Sequence, residues 1–236
     1  MKKQVTGLSL AGLLVVLVGC GSGEYEKRLE AHVSQVKKGS SFRGMQPATS
    51  LPGVPVSVRL PEQLDKPPLV EGSGVEDRRR LVPKAMLPGL RMTIEGFAAD
   101  SAGGKIAYYG YFGAADLSGP IARDYDRLIR SVILAVCPDA TPTWSPVEGQ
   151  TPSGAAVEWQ RAEGTSQQEF YYVDASGKAD YRLTNGRFEV WTRRDGGYLL
   201  IMAWRVPTDF LPSTGLDQWL PRVAGTMAVA AANEGG

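Results

Sequence analysis

The sequence has little of the chemistry that most enzyme sites need. It contains one histidine, His32, and two cysteines, Cys20 and Cys137, among 236 residues. A Ser-His-Asp or Cys-His site needs a histidine beside its nucleophile, and His32 lies in a short charged segment near the N-terminus. We interpret it as an exposed residue rather than as a ligand or a pH switch. No HExxH or CxxC pattern and no glycine-rich phosphate loop is present. We therefore expect no metal, no cofactor and no nucleophilic catalytic site.

The chain also lacks an excess of charge of either sign. It has 26 basic and 25 acidic residues, a formal net charge of +1. This balance provides neither the electrostatic footprint of a nucleic-acid-binding protein nor a polybasic patch for lipid headgroups. A basic triplet over residues 78–80 directly follows Glu76 and Asp77, which favours a solvated stretch.

The one long apolar run lies at the N-terminus. Lys2 and Lys3 precede it, it extends over residues 7–18, and Gly19 and Cys20 follow. The run is too short for a transmembrane helix, which needs about 20 apolar residues. The order of charge, apolar run and small residue is typical of a processed export signal. An ordinary secretory signal needs no cysteine at this position.

The segment Leu17-Val18-Gly19-Cys20 resembles the lipobox of bacterial lipoproteins. The resemblance implies a signal peptide over residues 1–19, cleavage between Gly19 and Cys20, and acylation of Cys20 with palmitate among the acyl chains. It also implies an exported protein anchored at the cell envelope and exposed to the periplasm. Gly21 permits sorting to the outer membrane, and the outer face of the inner membrane remains the alternative.

The acylation of Cys20 would leave Cys137 without a partner in the chain. An intrachain disulfide is then excluded, although the compartment would permit one. Cys137 ends an apolar helical stripe directly before Pro138. We interpret it as a small buried hydrophobic residue rather than as a catalytic thiol.

The segments after the signal predict a spacer followed by one compact domain. Residues 20–38 would form the lipidated N-terminus and a charged helical stalk. Residues 39–88 contain eight prolines with interspersed glycine and serine, which is typical of a tether. A globular domain is predicted over residues 89–231, and a polar tail over 232–236.

Hydrophobic periodicity predicts strands and two helices within this domain. Strands are predicted over 90–98 and 105–114, a helix over 123–136, and a second helix from about 216 to 231. Between the helices lie five strand candidates: 155–162, 167–174, 179–183, 187–193 and 198–206. The pair Asn185-Gly186 is the strongest hairpin turn. Residues 198–206 are apolar without alternation, which predicts a strand buried on both faces near the sheet centre.

This order of elements predicts an α+β fold. We expect an antiparallel sheet of about six to seven strands with helices packed on it, an α/β/α sandwich. From residue 89 to 230 the order resembles the PsbP/Mog1-type fold, seen also in small bacterial lipoproteins. Four features carry the resemblance: the hairpin around 98–105, the helix 123–136, the meander with Asn185-Gly186, and the helix after Trp204-Arg205-Val206-Pro207. The resemblance implies binding of other proteins and transfers no catalytic residue.

Aromatic side chains are the candidate functional residues. Such residues are enriched at binding hot spots, and they are also ordinary sheet formers. We predict a binding face formed by Tyr109, Tyr111, Tyr171 and Trp191, on the condition that they line an uncovered sheet face. The alternative is that they pack in the core.

Together these features predict a membrane-anchored bacterial lipoprotein with a non-catalytic domain that binds a protein or a ligand. The expected partners are the membrane, through the lipid on Cys20, and another envelope protein. Two alternatives stay open. One is an envelope hydrolase with a carboxylate-only site, which needs two acids that converge in a pocket. The other is a purely structural envelope component.

Overall fold

The computed structural model describes residues 26–28, 42–64, 87, 89–119 and 121–230. The chain divides into two units, residues 1–41 and residues 42–236. Within the first unit the described residues are 26–28, which are helical. The predicted signal with Cys20, most of the stalk, residues 65–86 of the tether and the polar tail lie outside the described residues. No helix in the described ranges is long and apolar enough to span a membrane.

In its described part, the second unit contains nine strands and three α-helices. The strands are β1 (Thr49–Ser50), β2 (Val56–Val58), β3 (Leu90–Ala99), β4 (Lys105–Asp116), β5 (Ser145–Gln150), β6 (Ala156–Val173), β7 (Ala179–Asp195), β8 (Tyr198–Pro207) and β9 (Ala228–Val229). The helices are α1 (Ile121–Val136), the single turn α2 (Leu211–Thr214) and α3 (Leu216–Thr226).

Six of these strands form an antiparallel sheet in the order β3-β4-β8-β7-β6-β5. Strand β8 lies between β4 and β7, and every residue from Leu199 to Pro207 is buried. A strand with apolar side chains on both faces is stable only where both faces are covered. The prediction of a central, doubly buried strand is therefore confirmed.

The two longer helices cover opposite faces of the sheet. On one face, Ile129, Val132, Ile133 and Val136 of α1 pack with buried side chains of β4, β7 and β8. On the other face, the buried side chains of α3 join those of β2, β3, β6 and β8: Leu216, Leu220, Val223 and Ala224. The i, i+3, i+4 spacing in both helices produces the apolar stripe that each face requires. The predicted α+β fold, with helices packed on an antiparallel sheet, is confirmed.

The predicted meander differs from the observed strands. The four candidates over 155–193 are two long strands, and Asn185-Gly186 lies inside β7 rather than in a turn. Gly186 pairs with Ser166 of β6 and with Pro207 of β8, so the ladder continues on both sides. Glycine fits there because a Cβ atom would lie 2.6 Å from the side chain of Gln168. The hairpin prediction at this dipeptide is wrong, because the neighbouring strands override the local turn preference.

Part of the predicted tether belongs to the fold. Strands β1, β2 and β9 form a second, three-stranded antiparallel sheet. Val56 and Val58 are at most 1 % exposed and join the same core cluster as α3. Residues 42–64 are therefore part of the folded unit, whose start moves from the predicted residue 89 to residue 42.

The last helix is shorter than predicted. It ends at Thr226, and Val229 of the following strand pairs with Val56 of β2. Gly215 precedes the helix with a φ of 65° and, as its N-cap residue, provides no side-chain hydrogen bond. Glycine accommodates this left-handed conformation, which joins α2 to α3 without a gap.

Candidate interaction surface

The four aromatic residues predicted to form a binding face do not lie together. Tyr109 and Tyr111 are at most 1 % exposed and pack in the core cluster beneath α1. Trp191 is 4 % exposed and belongs to the cluster on the opposite face, beneath α3. Both sheet faces are covered, so the condition of an uncovered face is not met for these three residues. Tyr171 is half-buried and lies in the outer part of the β6–β7 hairpin.

The β6–β7 hairpin extends past the end of its neighbour β8. The last residue of β8, Pro207, pairs with Gly186, so the part of β7 before Gly186 has no β8 neighbour. At its far end β6 also pairs with β4, through Tyr172 and Ile106. We call residues 168–173 and 179–184 the outer hairpin.

One side of the outer hairpin carries aromatic and aliphatic side chains. Because side chains alternate along a strand, Tyr171 shares its side with Tyr181, its direct partner in β7, and with Leu183. The rings of Tyr171 and Tyr181 lie 6.0 Å apart, and the ring of Phe97 in β3 lies 6.3 Å from Tyr171. Leu183 is 64 % exposed, the most exposed large hydrophobic residue of the described part. We call these four residues the aromatic strip.

Charged contacts attach the other side of the outer hairpin. The guanidinium of Arg182 lies 3.0 Å from the Asp100 carboxylate, in the β3–β4 turn. The hydroxyl of Tyr172 donates a hydrogen bond of 3.2 Å to the same carboxylate. Arg182 also lies 5.3 Å from the centre of the Tyr172 ring and 6.0 Å from that of Phe210. These contacts join this side of the outer hairpin to the β3–β4 turn.

Asp100 remains ionised in this arrangement. The backbone N–H of Ala102 lowers the pKa of the Asp100 carboxyl, and hydrogen bonds from Tyr172 and Arg182 lower it further, against a smaller opposing effect of burial. Burial and the neighbouring carboxylate raise the pKa of Tyr172, so its hydroxyl keeps the proton it donates. The turn and the outer hairpin are thus joined by a charge-assisted contact.

A second charged cluster lies on the sheet face beneath α3. Glu189 of β7 pairs directly with Glu163 of β6. Its carboxylate lies 3.7 Å from Arg187 and 4.0 Å from Arg161, and Arg187 also contacts Asp217 of α3 at 3.1 Å. Burial raises the pKa of Glu189, and the two arginines act in the opposite direction.

This cluster bears on the hydrolase alternative. Two opposed carboxylates with different environments are what a glycosidase site requires. Glu189, however, is 0 % exposed, so its carboxylate is not accessible to a substrate in this structure. Within the described ranges no three His, Cys, Asp or Glu side chains are grouped as a metal site would need. The arrangement favours a structural role, in which Arg187 links the sheet to α3.

Cys137 lies where the sequence predicts it, buried at the end of α1. Burial raises the pKa of its thiol, although Ser166, Phe188 and Arg205 act against this effect. A raised pKa disfavours the thiolate that a nucleophile needs.

No family model and no curated protein matches the chain. The resemblance to the PsbP/Mog1-type fold thus stays a prediction that rests on element order.

The sequence prediction missed Phe97, Tyr181 and Leu183 of the aromatic strip. One signal for them is present in the sequence. Asp174, Ser176 and Gly177 are typical turn residues, and a tight turn fixes the register of the strands beside it. Continuing that register opposes Tyr171 to Tyr181, which places Leu183 on the same side.

Proposed function

We propose that this protein is an exported bacterial lipoprotein, anchored to a membrane through acylated Cys20, whose folded unit binds another protein of the cell envelope through the aromatic strip. The lipobox resemblance of Leu17-Val18-Gly19-Cys20 supports the anchor. The observation that carries the binding proposal is the exposure of Leu183, 64 %, beside the half-buried pair Tyr171 and Tyr181.

The chemistry of the strip suits a protein partner. Tyrosine is one of the residue types most enriched at binding hot spots, and the strip contains two tyrosines, Tyr171 and Tyr181. The rings are already held by their contacts with Phe97 and with each other. Side chains that are ordered before binding lose little entropy on association, which favours affinity.

A photo-crosslinking experiment tests the binding proposal. A photoreactive amino acid replaces Leu183 in the full-length protein, and irradiation is carried out in intact cells. Leu134 on α1, 41 % exposed, is the matched control position. We expect a discrete crosslinked product from position 183 that is absent from position 134 and is lost when Tyr181 is changed to Ala. The absence of any product from position 183, or the same products from both positions, would contradict the proposal.

A separate experiment tests the anchor. Mass spectrometry of the native protein should show a mature chain that begins at acylated Cys20, and a Cys20→Ser variant should stay unprocessed. Cys137→Ser is the control, since it removes the other thiol and should leave processing intact. A mature chain that retains Gly19 would refute the proposed cleavage.

The described structure favours no second function. The opposed pair of Glu163 and Glu189 offers one exposed acid and one that is fully buried between arginines. A carboxylate-only hydrolase needs both acids to contact substrate.

A further inference from the structure

Arg205 lies at the junction between the inner and outer parts of the β6–β7 hairpin. It is the last residue of β8 that pairs with β4, opposite Tyr109, and two residues later β8 ends. Its side chain is 0 % exposed. The outer hairpin begins here, where β7 loses its β8 neighbour.

The guanidinium of Arg205 contacts three consecutive residues of the outer hairpin. Its Nε donates a hydrogen bond of 2.8 Å to Oε1 of Gln168. One terminal nitrogen donates to the carbonyl oxygen of Glu169. The centre of the Phe170 ring lies 4.3 Å from the guanidinium carbon, and the ring of Tyr109 lies 5.8 Å from it.

Gln168 extends this attachment to two more elements. Its amide nitrogen donates to the carbonyl oxygen of Gly186 at 3.1 Å and to the hydroxyl of Ser166 at 3.3 Å. It also lies 3.4 Å from the sulfur of Cys137 at the end of α1. A single glutamine therefore joins Arg205 to β6, β7 and the helix.

Burying this cation is unfavourable unless its contacts compensate. In the described part of the chain no carboxylate lies within ion-pair distance of Arg205, and its charge meets a side-chain amide, a carbonyl and two rings. A methionine of similar length would fill the space without the desolvation penalty. The planar guanidinium differs from methionine in one useful way, because it fixes two acceptors and a stacked ring in a single geometry.

We propose that Arg205 is the positioning residue of the aromatic strip: its guanidinium fixes residues 168–170 and thereby the orientation of the whole outer hairpin. Tyr171 directly follows the three residues that Arg205 contacts, and Tyr181 pairs with Tyr171 across the ladder. The consequence for binding rests on the proposed function. The positioning itself is a property of the free protein.

Hydrogen exchange, followed by mass spectrometry on the full-length protein, tests the positioning. In Arg205→Met we expect amides of residues 168–184 to exchange about tenfold to a hundredfold faster, the range for losing hydrogen bonds to a charged group. Amides of β3 should be unchanged. Arg205→Lys keeps the charge without the fork and should restore part of the protection. Arg193→Met is the matched control, because Arg193 also contacts an aromatic ring, Trp159 at 5.2 Å, but in the inner part of the hairpin.

Two results would overturn the proposal. One is wild-type protection of residues 168–184 in Arg205→Met. The other is a loss of protection spread evenly over the sheet, which indicates general stabilisation. If Arg205→Met does not fold, Gln168→Met removes the main acceptor without changing charge, and unaltered exchange over 169–184 in that variant would equally refute the proposal.

The same variants separate this inference from the proposed function. Faster exchange in Arg205→Met, together with a lower crosslinking yield from position 183, supports both. Faster exchange with no crosslinked product even in the wild type supports the positioning and rejects the binding surface. Normal exchange in Arg205→Met, together with a crosslinked product from position 183 in the wild type, supports the binding surface and rejects the positioning role of Arg205.

Discussion

The outer hairpin is the outer half of the β6–β7 hairpin, and the remaining residues of the two strands, 156–167 and 185–195, are its inner half. The two halves belong to the same strands but have different neighbours. The inner half lies between the two core clusters, with Phe188 and Val190 beneath α1 and Trp159 and Trp191 beneath α3. The outer half of β7 has no β8 neighbour, and the outer half is attached through a short pairing with β4, the buried ring of Phe170, and polar contacts with Arg205 and Asp100. Both halves contain aromatic residues, so residue type alone does not separate a core residue from a surface residue. The two halves differ in burial because β8 ends at Pro207, opposite Gly186, and so lies beside the inner half of β7 alone.

The comparison also explains why the outer half is the better candidate for binding. Both faces of the inner half are covered, and its aromatic side chains are buried: Trp159, Phe188 and Trp191. In the outer half, polar contacts hold one side and leave the aromatic strip half-buried. Rigid support with partial exposure is the combination that binding hot spots require.

The largest effect that separates the halves is expected from truncating one large side chain in each. Phe188 is 0 % exposed and packs edge-on against Tyr111, at a ring distance of 6.4 Å. Phe188→Ala should lower the free energy of unfolding by about 3–5 kcal/mol, because it removes buried contacts and leaves a cavity. Leu183→Ala should change it by less than about 0.5 kcal/mol. Urea denaturation measures both, and equal losses would show that the two halves do not differ in packing.

A smaller effect is expected from adding a single methyl group to the inner half. A Cβ at Gly164 would lie 2.6 Å from the Cβ of Ala140 and 3.0 Å from that of Cys137, neither of which can rotate away. Gly164→Ala should cost about 1–3 kcal/mol of stability, as overpacking of a core does. Gly119→Ala is the control, since its nearest atom would be the carbonyl oxygen of Asp116 at 3.4 Å. If Gly164→Ala is as stable as Gly119→Ala, the close packing around Gly164 is contradicted.

The smallest effect is expected in the pH dependence of stability. The pKa values of Glu189, in the inner half, and Asp100, which contacts the outer half, shift in opposite directions. Burial raises the pKa of Glu189 above 4.5, so its contribution to stability is complete below that pH and is lost as the pH rises through the folded-state pKa. The pKa of Asp100 is lowered below 3.8, so its contribution is present above that pH and is lost as the pH falls through the folded-state value.

Relative to Glu189→Gln, the wild type should therefore gain stability on acidification from pH 7. Relative to Asp100→Asn it should lose stability below about pH 3.8. Unfolding titrations of the three proteins between pH 7 and pH 3 measure both differences, and the same sign for both pairs would contradict the opposite shifts.

The sequence predicts the elements whose signal is local. The continuous apolar run of β8 and the three- and four-residue spacing in α1 identify both elements, because each pattern depends on residues within one segment. Asn185-Gly186 has an equally clear local signal, yet it forms no turn. Two strands from elsewhere in the chain pair with it on both sides, and nothing within the dipeptide reveals them.

The parts that escaped prediction depend on distant contacts. Pro52, Pro55 and Pro61 give residues 42–64 the composition of a tether, but Val56 pairs with Val229 from the far end of the chain. The same reason separates Tyr109 from Tyr171. Both are tyrosines in strands, and only the position of α1 and the end of β8 decide which of them is covered.

The small sheet of β1, β2 and β9 also bears on the proposed anchor at Cys20, because it belongs to a folded unit that begins at residue 42. A tether up to residue 89 would span at most about 240 Å from Cys20, at the upper limit of roughly 3.3–3.6 Å per fully extended residue. Because the fold begins at Phe42, the same calculation gives about 75 Å. Under the proposed anchoring at Cys20, the folded unit would begin within that distance of the membrane, and we would expect its partner there.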